Sequence, residues 1–256
     1  MRIFPVEADC NYFLFIVSAV ESYRNMVSSA VKPSISINLP LRGIWVTPNS
    51  PGKKIPSHGI DGCGETYAYD FVGVDPGKQT DKFYSVSVIS YLFNGVPLQK
   101  CHGWGEKVFA PFDGEIVRVE DGVAERNPVV LNRDIRYARE ITKRFKSGKV
   151  TYKEVAGNHI ILKQSEEMYA LFAHLQTNSL RVKTGERVKS GQHIGNVGHS
   201  GNSTAPHLHF QLMDHIDPVK SRGIFCGFSE YEEFKNGTWN NVVDGIPSGY
   251  RIRWLA

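Results

Sequence analysis

Along most of the chain, apolar and polar residues alternate over short stretches that end at Pro, Gly, Asn or Asp. Ile35-Ser36-Ile37-Asn38-Leu39 alternates and stops at Pro40, and Gly43-Ile44-Trp45-Val46 follows as a second strand. A loop rich in Pro, Gly and Ser leads to Tyr67-Ala68-Tyr69-Asp70-Phe71-Val72, a clear strand. Residues 108–119 read as strand, turn, strand, with Asp113-Gly114 as the turn. His159-Ile160-Ile161-Leu162 and residues 168–174 read as a hairpin around Gln164-Ser165-Glu166-Glu167. Shorter strands follow near Val188, over 194–197 and over 207–212, and the apolar stretch 83–92 reads as strand-like. Many short strands joined by tight turns predict a mainly β chain, an antiparallel sandwich or barrel.

Two stretches carry a different period. Tyr12, Phe15, Ile16, Ala19 and Val20 recur at helical spacing, so residues 1–34 are expected to form an N-terminal helical element, capped by Asp9 or Asn11 and ended at Pro33-Ser34. Between 131 and 153, Ile135, Ala138, Ile141 and Phe145 have the same spacing, which predicts an inserted amphipathic helix. That segment holds eight basic residues against Asp134 and Glu140, an excess larger than the +4 of the whole 256-residue chain. It is a solvated surface helix or, more sharply, a lid or a contact to an anionic partner. The chain thus divides into 1–34, a main domain over 35–230, and a C-terminal extension over 231–256 packed on it.

Composition narrows the classes. Apolar and charged fractions of 41% and 22% are those of a globular protein. The apolar run at 13–20 is too short to span a bilayer and poor as a signal peptide, so neither a transmembrane segment nor a leader is legible. Four cysteines, Cys10, Cys63, Cys101 and Cys226, form no Cys-x-x-Cys pair, so a cysteine zinc knuckle is excluded and disulfides stay open. The basic segment lacks regular aromatic interleaving, so no nucleic-acid partner is expected.

Histidine is the informative residue. Seven of the nine lie between His159 and His215. On a strand, residues two apart share a face, so His207 and His209 stand side by side while Leu208 and Phe210 turn into a core. The loop before them, 198–206, is small and turn-forming. A hydrolytic zinc site takes about three protein ligands and keeps a position open. His209 offers one ligand, His58 a second, and either Asp70, in an apolar strand, or Asp61, in a Gly-rich loop, a third. His193 and His199 read as solvated turn residues. Asn202, Ser203 and Thr204 read equally as groove lining and as turn chemistry.

Several stretches in order, His58 with Tyr67-Ala68-Tyr69-Asp70-Phe71, Ala110-Pro111-Phe112-Asp113-Gly114, Phe172-Ala173-His174-Leu175, the run 182–195, and Pro206-His207-Leu208-His209-Phe210, resemble the lysostaphin-type zinc metallo-endopeptidases of bacterial cell walls. The resemblance covers roughly residues 40–215. It implies a catalytic domain related to the lipoyl/biotinyl hybrid fold, a Zn2+ held by His58, Asp70 and His209, and catalytic roles for His174 and His207. The reaction it implies is hydrolysis of stem-peptide or cross-bridge bonds in peptidoglycan through a metal-activated water, in the bacterial envelope, periplasm or outside the cell. One of the two catalytic histidines would be the base and the other a donor to the oxyanion. The competing readings are a catalytically silent, wall-binding or hydrolase-activating relative and a biotinyl- or lipoyl-carrier-like domain. The carrier has no use for three clustered histidines and lacks a lysine at its hairpin tip.

Overall fold

A computed structural model describes Pro33 and residues 35–254; the helix expected over 1–34 lies outside the described residues, as does Cys10. Fourteen strands are described, and most join one large sheet. In chain order they are β1 (Ile35–Ile37), β2 (Ile44–Val46), β3 (Tyr69–Gly73), β4 (Lys107–Phe109), β5 (Gly114–Glu120), β6 (Asn158–Ser165), β7 (Met168–Leu175), β8 (Arg187–Val188), β9 (His193–Asn196), β10 (Leu208–Met213), β11 (Gly223–Ile224), β12 (Cys226–Lys235), β13 (Thr238–Gly245) and β14 (Arg251–Arg253). The sheet runs β1-β12-β14-β2-β3-β10-β7-β6-β5-β8, with β11 on β10 and β13 on β12. Its pairings are antiparallel except β1 with β12. The 230/231 division expected from sequence falls inside β12, and β14 is hydrogen-bonded between β12 and β2.

The centre, β3-β10-β7, shows why alternation places the chemistry. Leu208, Phe210 and Leu212 of β10, Tyr69 and Phe71 of β3, and Ala170 and Phe172 of β7 all enter one buried core. Aromatic rings dominate it: Phe172 and Phe210 lie 5.4 Å apart, and Phe228 packs edge-on against Tyr69 and Phe71. Each fully buried ring contributes about 1.5–3 kcal/mol, enough to fix the register of the strands that bear it. The two-stranded β4–β9 sheet adds Val108 and Ile194 to this core from across it, which gives the sandwich-like layering. On the opposite face, Tyr169, Leu171, Ala173 and Met213 pack with Ala156.

Three local expectations are corrected. Stretch 83–92 is no strand; α1 (Val88–Asn94) forms there, because Ser87 caps it by accepting from Ser90 N and Gly95 ends it at φ +72°. The strands flanking Asp113-Gly114 are not a hairpin: β4 pairs with β9, and β5 with β6 and β8. The basic segment is two helices, α2 (Leu131–Lys146) and α3 (Tyr152–Ala156), separated where Gly148 takes φ +69° and Thr151 forms a capping box with Glu154. Cys63, Cys101 and Cys226 are free thiols.

Candidate active site

The polar face of β3-β10-β7 carries the site. Asp70 on β3 is the cross-strand partner of His209 on β10, which in turn faces Ala173 on β7. His58 arrives from the loop before β3. His58, Asp70 and His209 bring one ligand atom each to within 4.8 Å of one another. His174 and His207 stand beside them, with His207 4.7 Å from His174 and His209 5.9 Å from it, ring centre to ring centre. All five line one cavity of about 150 Å³, together with Glu65, Tyr152, Val155, Ala156, Ala173, Asn202 and Thr204. Asp61 is exposed, accepts from Thr66 Oγ1 at 2.5 Å, and is not in this group.

His174 reaches the cleft by a different route. Strict alternation along β7 sends Ala170, Phe172 and residue 174 into the core. Instead, His174 takes φ +61°, and between Asn158 and Ile160 one residue of β6 opposes two of β7. This bulge turns His174 to the polar face and returns Leu175 to the core. A histidine in the left-handed region costs about 1 kcal/mol. The loop 198–206 supports it. Gly157 and Gly201 pack backbone to backbone, where a Cβ on either would meet main-chain atoms at 2.4–2.6 Å. That contact sets Ser200 O 3.0 Å from His174 Nδ1.

Hydrogen-bond partners fix the tautomers. Carbonyls only accept, so His174 Nδ1 donates to Ser200 O and His207 Nδ1 donates to Ala205 O at 2.7 Å, while His207 Nε2 points to the cleft, 3.5 Å from Asp70 Oδ1. Gln211 donates its amide N–H to Cys63 O, so its Oε1 accepts from His209 Nε2–H at 3.0 Å and leaves His209 Nδ1 to Asp70. Ser57 donates to Glu65 O and accepts from His58 Nδ1, which leaves His58 Nε2 bare. His58 Nε2 then faces Asp70 Oδ2 at 3.0 Å, and His209 Nδ1 faces Asp70 Oδ1 at 3.0 Å. His58 Nε2 is a buried atom without a hydrogen-bond partner. Asn49 donates to Asp70 Oδ2 at 2.7 Å. Among the described residues, no Lys or Arg forms an ion pair with Asp70.

Imidazole nitrogens converging on a buried carboxylate call for a cation between them, a proton or a metal ion. The titration behaviour agrees. Burial opposes ionisation of Asp70, but the imidazoles of His207 and His58 outweigh it and hold the carboxyl well below the usual range. Burial opposes a charge on His209 too, yet the Asp70 carboxylate pushes that imidazole up to about 9. The group thus takes up a proton where a metal ion fits, and two nitrogens plus one carboxylate oxygen are the donor set zinc accepts. His174 goes the other way: burial, then the neighbouring His207 and His209, push it well below its ordinary value, so it is neutral.

Residues 142–221, which include His174, His207 and His209, match the family described as "Peptidase family M23". That match covers less than a third of the chain. Over 65 residues it is 42% identical to the peptidoglycan DD-endopeptidase ShyC of Vibrio cholerae, covering 25% of this chain and 14% of that protein. Over 57 residues it is 46% identical to the glycyl-glycine endopeptidase ALE-1 of Staphylococcus capitis, covering 22% of this chain and 16% of that one. The matched stretch is therefore a small part of either relative. Among solved structures, the catalytic domain of lysostaphin from Staphylococcus simulans aligns with 74% of this chain and 88% of its own, at 20% identity and a TM-score of 0.33.

Around the cleft the structure also places residues that sequence reasoning misread or passed over. His199 is fully buried and not a solvated turn residue. Ser203 is buried too, while Asn202 and Thr204 line the cavity. Asn49, Ser57 and Gln211 hydrogen-bond to Asp70, His58 and His209, and no local pattern in the sequence singles them out. His102, His193 and His215 do not line the cavity.

Proposed function

We propose that the chain is a zinc-dependent endopeptidase acting on peptide bonds of bacterial peptidoglycan, outside the cytoplasm. The observation that carries this is the convergence of His58 Nε2 and His209 Nδ1 on the buried Asp70 carboxylate, each 3.0 Å from one of its oxygens, with His174 and His207 in the same cleft. His58 Nε2, Asp70 and His209 Nδ1 would hold the metal. Zinc supplies the Lewis acidity that polarises a carbonyl and brings the pKa of water down toward about 7.

The protein's own groups do the rest. His207, whose Nε2 points to the cleft beside Asp70, takes the proton of the attacking water on that nitrogen and then delivers it to the leaving amine. His174, neutral and bare at Nε2, accepts a hydrogen bond from the water and orients it. That differs from the donor role expected for the second histidine, since its only N–H is spent on Ser200 O. Tyr152, on the α3 wall, is pushed well above its ordinary pKa by burial and stays a neutral O–H donor in the cleft. No helix among the described residues is long and apolar enough to cross a membrane.

The test is digestion of purified peptidoglycans of different cross-link type, with mass analysis of released peptides. The zinc-loaded protein is expected to release peptides from at least one. Zinc content of about one per chain with no release from any would end the peptidoglycan reading, and no zinc binding would end the metallopeptidase reading.

A further inference from the structure

A second buried polar cluster centres on Asp134 and His199. Asp134, near the start of α2, is fully buried, as are His199 and Ser203. Asp134 Oδ2 accepts from Val130 N at 2.6 Å, and Asp134 Oδ1 accepts from Arg126 Nε at 2.7 Å. Arg126 also donates to Gly201 O and Ser203 O and lies over the Tyr137 ring. The carboxylate is held well below its usual range, because hydrogen bonds from its neighbours outweigh burial. One side of it faces His199 Nε2 at 3.8 Å, an electrostatic contact longer than a hydrogen bond. His199 Nε2 is buried with no hydrogen-bond partner.

From His199 the chain of polar groups continues to the cleft. His199 Nδ1 lies 2.9 Å from Ser203 Oγ, and Ser203 Oγ lies 3.2 Å from His207 Nδ1 and 2.7 Å from Ala205 O. Ser203 has one hydroxyl proton and two acceptors in reach. Which one it serves depends on the tautomer of His199. Burial keeps His199 neutral. A bare Nε2 against the Asp134 carboxylate is repulsive, so the proton belongs on Nε2 and Nδ1 is the acceptor. The Ser203 hydroxyl then turns to His199, its oxygen faces His207 Nδ1–H, and Ala205 O is left to His207 alone. With the opposite tautomer, Ser203 donates to Ala205 O and competes with His207 for it.

We infer that Asp134 and His199 are positioning residues which, through Ser203, hold His207 in the tautomer that leaves its Nε2 bare toward the cleft. The inserted helix is thereby part of the active site and not only a basic surface. This rests on the reading of His207 as the base.

The test uses the zinc-loaded protein and long-range 1H–15N spectra of its imidazoles, which separate a bare ring nitrogen from a protonated one without any substrate. Wild type is expected to show His207 protonated at Nδ1 alone. His199→Phe, which keeps ring volume and removes both nitrogens, is expected to populate the Nε2–H form of His207 and lower kcat about 10–100-fold with KM unchanged. His199→Gln, with an amide oxygen for Ser203 and an amide N–H for Asp134, is expected to restore the wild-type pattern. The isosteric Asp134→Asn shifts His207 the same way, and that shift disappears in a Ser203→Ala background. A folded His199→Phe or Asp134→Asn protein with the wild-type His207 pattern overturns the inference. Absent peptidoglycan activity alongside the expected spectra would instead count against the proposed substrate.

Discussion

Strands β10 and β7 lie side by side and deliver histidines to one cleft by opposite means. β10 obeys the two-residue period: His209 and Gln211 face the cleft, and Leu208, Phe210 and Leu212 face the core. β7 breaks it, with a left-handed residue and a bulge at its end, so that His174 leaves the core face its position would assign. Regular strands place groups whose spacing must match a partner strand, here His209 opposite Asp70. The irregular end places a group the pleat cannot reach. The first means is stiff and cheap; the second stores strain and depends on the loop 198–206 that holds it.

The sharpest way to break the comparison is to remove one histidine from each strand. His209→Ala is expected to abolish stoichiometric zinc binding and to lower peptide release at least about 1,000-fold, since both the metal and its chemistry go. His174→Ala is expected to keep zinc at wild-type stoichiometry and lose about 100- to 10,000-fold in kcat, the range for a proton-handling or water-orienting group. Metal analysis beside a peptide-release assay separates the two. Zinc lost from both variants would mean that β7 also carries a ligand.

How much of this was legible in the sequence follows the same division. The alternation of 67–72 and 207–212 specified both strands, their core faces, and the pairing of chemistry on the remaining face. It could not show that Asp70 and His209 are cross-strand partners, because register belongs to the fold. The place of His174 was out of reach of periodicity, since no hydrophobic pattern encodes a left-handed histidine; only the likeness to a known family pointed to it. His199 was misread because a Gly-Ser-Asn loop looks solvated when nothing in the local sequence shows that α2 covers it. The helix at 88–94 was missed because Ser87 and Gly95, its caps, outweigh the strand preference of the apolar residues between them.

Support of the β10 histidine can be weakened without removing it. Gln211 fixes His209 Nε2–H while its own amide N–H is held by Cys63 O. Gln211→Ala frees the ring, and zinc affinity is expected to fall about 10- to 100-fold by competition with a chelator, the usual cost of losing such an outer partner. Affinity within about twofold of wild type would show that Asp70 alone orients His209.

The same histidine gives a pH test. In the zinc-free protein the Asp70 carboxylate pushes His209 up to about 9, so at pH 7 the nitrogen that zinc needs carries a proton. Zinc binding must displace it. Apparent affinity is therefore expected to rise about tenfold per pH unit between 7 and 8 and to level off above about 9. Calorimetry in buffers of different ionisation enthalpy checks it through the release of about one proton. His174 has the opposite shift and contributes no such proton.

The smallest effect isolates the backbone alone. At 174 the chain has φ +61°, whereas His209 is not among the residues with positive φ. Replacing either histidine by Gly or by Ala removes the imidazole equally, so the Gly–Ala difference reports the backbone. On an ordinary strand Gly is the less stable of the two by about 0.5–1 kcal/mol, through its larger loss of conformational freedom. In the left-handed region Ala carries a steric cost of about 1 kcal/mol that Gly escapes. His174→Gly is thus expected to be more stable than His174→Ala in urea unfolding of the zinc-free protein, and His209→Gly less stable than His209→Ala. The same sign at both positions would mean that the chain at 174 relaxes to an extended conformation once the imidazole is gone. In that case the bond from His174 Nδ1 to Ser200 O, and not the bulge, would be what holds β7 in its irregular shape.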